Sequence, residues 1–322
     1  MLNSLSLTLN NLTSITVLVF ALGFIGARLN SDLKIPDPVY QIISIYLLFG
    51  IGLKGGVALN GSSFDELIKP VIATIFLGIL IPIFAFLALK QIRKLNDIDR
   101  GAISAFYGST SLVTFTAALI YLETLGIDYE GFATTLLTIM EIPGLVVGIF
   151  IASRLSSKNV PWKKSIEEIV LGKTVLLLVG GLLIGFITGK AGYGQVEPFF
   201  VNLLPGILAL FLLHLGFVAG SQIHLIKEVG LGLFIFAVAF PIFAGLLGVV
   251  AGQLAGLSVG GATILGVLSA SASYIAAPAA ISIALPSANQ SLALTSSIGI
   301  TFPFNLIFGI PIIHAIALFL FT

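Results

Sequence analysis

Ten runs of about twenty mostly apolar residues, joined by short polar turns, leave this chain of 322 residues one solvent in which to fold. An α-helix rises ~1.5 Å per residue, so about twenty residues cross the ~30 Å hydrocarbon layer of a bilayer. The runs predict spans at 10–29, 38–59, 66–90, 98–122, 129–153, 166–189, 197–221, 228–253, 258–285 and 289–320. Only 9% of residues are charged and 57% are hydrophobic, against about 25% charged in a soluble domain. The expectation is an all-α integral membrane protein. A formal net charge of +1 and the lack of a basic patch give no reason to expect nucleic-acid binding, and zero cysteines exclude disulfides and thiol chemistry. Met1 to Leu12 lacks a positive leader and no Ala-x-Ala site follows the first run, so that run reads as a retained span.

Two of the ten runs are unlike the rest. Residues 266–289 are too small and polar for a plain lipid-facing helix: Ser269, Ser271 and Ser273 alternate with Ala, and Pro278 follows. Proline lacks an N–H and its ring clashes one turn back, so a helix stops or kinks nearby. Gly108-Ser-Thr-Ser-Leu-Val-Thr-Phe-Thr116 has the same character half a chain earlier. Inside a bilayer, backbone groups freed by a break need partners, which hydroxyls supply. Interrupted helices at matching places in two halves point to a transporter's substrate site.

Other pairs recur at an offset of about 160 residues. Gly52-Leu-Lys-Gly-Gly56 matches Gly216-Phe-Val-Ala-Gly220, and the Ile79–Ala85 stretch matches Ala239–Ala244. Met140-Glu-Ile-Pro143 matches Ile300-Thr-Phe-Pro303. Five spans per copy is an odd number, so the second copy enters from the opposite face: two inverted five-helix repeats, 1–160 and 161–322, with helices four and nine broken. Lys and Arg cluster after the odd-numbered spans, from Arg28 through Lys90, Arg93, Lys94 and Arg154 to Lys227, while the other side has little beyond Lys69 and Lys190. The positive-inside rule then places both termini outside and the 155–165 loop in the cytoplasm of a multi-pass plasma (inner) membrane protein.

A helix ending at mid-depth offers partial positive charge at its N-terminus and partial negative charge at its C-terminus. Two half-helix N-termini would hold an anion without arginine. The candidates are Gly108, Ser109, Thr110, Ser111 and Thr114 facing Ser271, Ala272 and Ser273; the competing reading is that small residues merely let helices pack closely. Glu141 is the only acid deep in a span. It either holds a cation or is a protonated structural acid beside Pro143. Thr301, Ser269 and Tyr274 join it as cation-binding candidates, with sodium assigned to Glu141. Lys54 reads as a snorkelling interfacial residue or, if deeper, as a partner of Glu141. Asn305 lines the site or bonds across helices. His214, His224 and His314 lack metal spacing, and no enzyme motif or phosphate loop occurs.

The chain also resembles a known family. Gly50-Ile-Gly-Leu-Lys-Gly-Gly56, Leu77–Leu80, Tyr121-Leu-Glu123 with Tyr129-Glu130, Met140-Glu-Ile-Pro143, and Ile283 through Asn289 to Ser296-Ser297 are similar to the sodium-dependent bicarbonate permeases first associated with cyanobacteria. The resemblance implies a gate or scaffold domain of spans one, two, six and seven, and a core domain of spans three to five and eight to ten that moves as an elevator. It implies homotrimers in membrane lipid, a substrate between the two breaks with sodium nearby, and in some members closure by a PII-like regulatory protein. Departures are Tyr274 in place of an acid, Glu141 in place of Asp, Ser111-Leu-Val-Thr114 without the family's glycine, and a short 155–165 loop that argues against the PII-like partner.

The expected function is secondary active uptake of a small anion, bicarbonate first, with sodium as coupling ion and no organic cofactor. The alternatives are a cation/proton antiporter or organic-anion:sodium symporter of similar fold, and a non-transport membrane enzyme.

Overall fold

The computed structural model describes residues 11–155 and 160–322, and over them the chain is a bundle of helices. The amino terminus and loop residues 156–159, and the expectations placed on them, lie outside the described residues. Among those described, eight helices are long and apolar enough to cross a membrane, and two shorter apolar helices accompany them.

The first half comprises α1 (Ile15–Arg28), α2 (Asp37–Asn60), α3 (Phe64–Leu89), α4 (Asp97–Gly108), α5 (Leu112–Thr124) and α6 (Ala133–Leu155). Then follow α7 (Trp162–Leu171), α8 (Lys173–Tyr193), α9 (Leu204–Gln222), α10 (Ile226–Leu254), α11 (Val259–Ser269), α12 (Ala276–Ala284) and the composite α13 (Gln290–Leu320).

Local chemistry explains most boundaries. Ser63 and Glu66 form a reciprocal capping box at the start of α3. Asn96 caps α4, Ser111 caps α5 and Ser258 caps α11, each side chain accepting a backbone N–H of the first turn. Span four is interrupted at Ser109–Ser111, where the sequence placed the break.

Span nine breaks earlier than the proline suggests. Its irregular stretch is residues 270–275, and Pro278 sits in the first turn of α12, where a missing N–H costs nothing. Span six also differs: 162–171 is a separate helix, and the membrane helix begins only at Lys173, because Gly172 (φ −58°, ψ 148°) is extended. In α13, π-helical turns at Thr295–Thr301 and Asn305–Gly309 each end two residues before a proline, Pro303 and Pro311. Widening the turn there accommodates a ring that an α-helical ladder would exclude.

Helix α2 runs along α8, and α1 runs along α9. Both contacts depend on glycine. A Cβ on Gly56 would lie 2.0 Å from the Leu182 carbonyl oxygen, and one on Gly185 would lie 2.2 Å from that of Leu53. Across the other pair, Gly23 and Gly216 leave no more room: each Cβ would fall 2.1 Å from the opposing backbone oxygen. Close backbone approach of this kind is how helices associate where lipid removes the hydrophobic drive. In the remaining helices, α4 packs on α3 and α6, while α11 packs on α10 and α13.

Two carboxylates tie the halves together. Asp99 Oδ1 accepts the Asn289 N–H (2.7 Å), and Glu130 Oε1 accepts the Ser258 N–H (2.6 Å), with the Ser258 hydroxyl on Oε2 (3.2 Å). Each joins the start of one broken span to the segment just before a later helix of the other half.

Gly185→Ala is expected to cost about 1–3 kcal/mol through enforced separation of α2 and α8. Gly180→Ala, where a Cβ would meet nothing within 4 Å, is expected to leave stability unchanged. Thermal unfolding of the detergent-solubilised variants measures both.

Candidate functional site

The two irregular stretches meet in the interior. Ser111 N–H donates to Ser271 Oγ at 2.9 Å, and Ser273 N–H donates to the Phe106 carbonyl at 2.8 Å. Each break therefore supplies a partner for backbone groups of the other, as the cost of unpaired amides in a bilayer requires. Ser109, Thr110, Ser111, Thr114, Ser271, Ala272 and Ser273 are all buried, and so is Gly108, whose Cβ would press on Gly144 and Pro82.

Hydroxyl bookkeeping fixes several directions. Ser111 Oγ accepts from Thr114 N–H (3.2 Å) and Thr114 Oγ1 (2.9 Å), and donates to the Tyr274 oxygen (3.2 Å). A hydroxyl has one proton and two lone pairs, so Ser111 is saturated. Tyr274 keeps its own O–H proton. Ser273 Oγ accepts the Ala277 N–H in the first turn of α12 (3.3 Å), while Ser271 Oγ donates to Leu268 O (2.8 Å).

Glu141 enters from the middle of α6 and is 3% exposed. One of its oxygens, Oε2, accepts both the Thr110 N–H (3.3 Å) and the Thr110 hydroxyl. Ser109 lies beside the same carboxylate, and its Oγ is buried without a hydrogen-bond partner. The carboxylate thus occupies the break of its own half. On the other half, Asn305 Nδ2 donates to the Ala270 carbonyl (2.7 Å), one turn beyond Thr301, the counterpart of Glu141 160 positions on.

Thr110, Ser111, Glu141, Ser273 and Tyr274 line a cavity of ≈ 10 Å³, closed on the far side by Thr174 and Leu178 of α8. That volume is about what one water needs. A larger cavity of ≈ 170 Å³ shares Thr174 and Ile275 with it and runs past Gly172 and Lys173 to Glu168 of α7. The two cavities thus lie side by side, with Thr174 and Ile275 between them.

Not every candidate converges here. Ser269 donates to Leu265 O and faces Gly248 of α10. Thr301 donates to Ala237 O (2.6 Å) and so accepts from Tyr107 OH (2.6 Å). Its hydrogen bonds join it to α4 and α10, whereas those of Glu141 go to Thr110.

The pairing of Lys54 with Glu141 is corrected: Lys54 Nζ lies 3.6 Å from Glu123 Oε1, with both side chains about half exposed. The Tyr129 hydroxyl donates to the same carboxylate oxygen (2.7 Å). Lys54 is therefore not deep: it lies half exposed beside the end of α5, as the interfacial reading expects.

Three contributors have no sequence signal of their own: Thr174, the Phe106 carbonyl and Tyr107. The Phe106 carbonyl and Tyr107 act through Ser273 and Thr301, each more than 160 positions away, and Thr174 enters as a wall of the cavity.

Removing Ser111 Oγ and Tyr274 OH tests the network. The Ser111→Ala/Tyr274→Phe cycle is expected to show a coupling energy of about 0.5–3 kcal/mol in unfolding free energy, because each hydroxyl left alone is buried and underpaired. Additive single effects would show that the bond carries nothing.

The profile of the Na+-dependent bicarbonate transporter superfamily matches residues 16–318, nearly the whole chain. No curated protein matches the chain. The match covers both breaks, Glu141 and the Lys54–Glu123 pair, and its members are transporters rather than enzymes. The chain belongs to the Na+-dependent bicarbonate transporter superfamily.

Proposed function

We propose that the protein takes up bicarbonate with sodium, binding both where the two broken spans meet and moving them by displacement of one set of helices against another. The observation that carries this reading is the Ser111–Ser271 hydrogen bond, which brings two half-helices together beside a buried carboxylate.

Anion binding would use the N-terminal ends of α5 and α12. Ser111, Thr114, Ser271 and Ser273 surround them, and helix N-termini favour negative charge. Tyr274, with its proton uncommitted, is a neutral donor suited to an anion, where an acid would repel one. Cation binding would use Glu141 with Thr110, Ser109 and carbonyls freed at the breaks, since hard cations take oxygen ligands. The ≈ 10 Å³ pocket fits a bare ion better than a large organic anion. Loss of the Lys54–Glu141 pairing removes the main support for the antiporter alternative.

Two inverted repeats are supported by paired contacts. Ser111 and Ser271 are 160 positions apart. Exchanging the halves turns the α2–α8 contact into the α9–α1 contact, and the Asp99–Asn289 bond into the Ser258–Glu130 bond. Division into a gate set (α1, α2, α8, α9) and a core set (α3–α6, α10–α13) is supported by the glycine-tight seams inside the gate. At the outer edge the sets touch through the exposed Lys54–Glu123 pair, a contact of small energy that is easily broken.

Glu141→Gln preserves the acceptor for Thr110 and removes the charge. Bicarbonate uptake into proteoliposomes is expected to lose its sodium stimulation while the folded yield stays normal; a wild-type sodium response would take Glu141 out of the mechanism. The cysteine-free chain permits a second test. A Cβ on Gly131 would lie 3.0 Å from Ala58 Cβ, across the gate–core edge, close to the spacing of a disulfide. Oxidised Ala58→Cys/Gly131→Cys is expected to stop uptake and reductant to restore it. Full uptake by the cross-linked protein would exclude relative movement there.

A further inference from the structure

On the flank of the core, α3 and α10 diverge and leave an apolar groove of ≈ 550 Å³, within the ~300–1,000 Å³ range of ligand sites. Phe84, Ala88 and Gln91 form one wall, and Gly232, Ala239 and Phe243 the other. Gln91 is the one polar side chain among the lining residues. At ~1.5 Å per residue the groove extends about 10 Å along α3 and about 16 Å along α10.

Its mouth is chemically distinct. Gln91 marks the end where α3 stops, and Lys90, Arg93 and Lys94 flank it, all exposed. Lys90 Nζ rests over the Phe86 ring at 5.4 Å, and none of the three forms an ion pair among the described residues. The nearby Arg100 is by contrast neutralised by Asp97 at 2.7 Å. A greasy slot of this length, topped by three unpaired cations at the bilayer edge, fits one class of ligand. Basic clusters beside a gap between membrane helices bind anionic lipid headgroups.

We propose that this groove binds an anionic phospholipid, one acyl chain lying between α3 and α10 and the headgroup meeting Lys90, Arg93 and Lys94. The groove is coupled to the site by direct packing. Phe236 and Phe240 form its floor and pack edge-to-face against Tyr107 (ring centroids 4.9 and 5.9 Å), which donates to Thr301. Occupancy would therefore stiffen the Tyr107–Thr301 contact that joins α4 to α13. The binding proposal stands whether or not the transport mechanism above is correct.

The single tryptophan, Trp162, makes a direct test available. Full-length Trp162→Phe/Phe243→Trp protein, in phosphatidylcholine nanodiscs, places the only indole in the groove; Phe84→Trp serves if Phe243→Trp folds poorly. Brominated phosphatidylglycerol is expected to quench it half-maximally at about tenfold lower mole fraction than brominated phosphatidylcholine. Adding Lys90→Gln/Arg93→Gln/Lys94→Gln is expected to erase that difference. Equal quenching by both lipids in the parent would mean ordinary boundary lipid and would overturn the proposal. So would a preference that survives the triple substitution, or no quenching by either lipid, which would mean that protein covers the groove.

Discussion

Hydrocarbon cannot hydrogen-bond, and that one fact organises this molecule. A helix broken at mid-depth exposes amides and carbonyls that cost several kcal/mol each if left unpaired. Two such breaks occur in this chain, and they resolve the problem mutually. Ser111 N–H finds Ser271 Oγ, and Ser273 N–H finds the Phe106 carbonyl. The pairing forces residues 160 positions apart into contact and fixes the arrangement of the four half-helices. What that pairing leaves over, the Tyr274 proton and the Glu141 carboxylate held by Thr110, is what the proposed function draws on.

The rest of the fold serves to hold this junction within a bilayer. Glycines let α2 and α8 approach until a methyl group would collide with a carbonyl. Such seams are rigid, since dispersion forces fall off steeply with separation. The edge between the proposed gate and core is held differently at Lys54, by one exposed ion pair to Glu123. Solvent screening keeps contacts of this kind weak. Gly55 of α2 also packs closely on Thr134 of α6, so the screened Lys54–Glu123 pair is the weak contact at this edge.

Asymmetry between the two halves is chemically informative. At the first break a carboxylate accepts from Thr110; at the second an amide donates to Ala270 O. A duplicated site occupied twice by carboxylates would repel an anion, and one occupied twice by amides would give a cation no counter-charge. In the proposed function, one of each would let a cation and an anion be held side by side, each partly neutralising the other.

The amino-acid sequence by itself determined the solvent, the rough limits of most spans, and the places where two of them fail to stay helical. Those properties follow from composition over windows of about twenty residues, and from Ser, Gly and Pro acting locally. Family membership was also legible, in strings such as Gly50–Gly56 and Met140–Pro143. Tertiary structure decided the partners: Lys54 with Glu123 rather than Glu141, Thr301 with Tyr107 and Ala237, and Thr174 as a wall of the cavity. It also placed the second break before Pro278 and freed 162–171 from span six. The reason is rotational. A helix that is apolar around its whole circumference carries no amphipathic stripe to say which face turns inward, so the register of one span against another is settled only when backbone close approach and mid-depth hydrogen bonds select it.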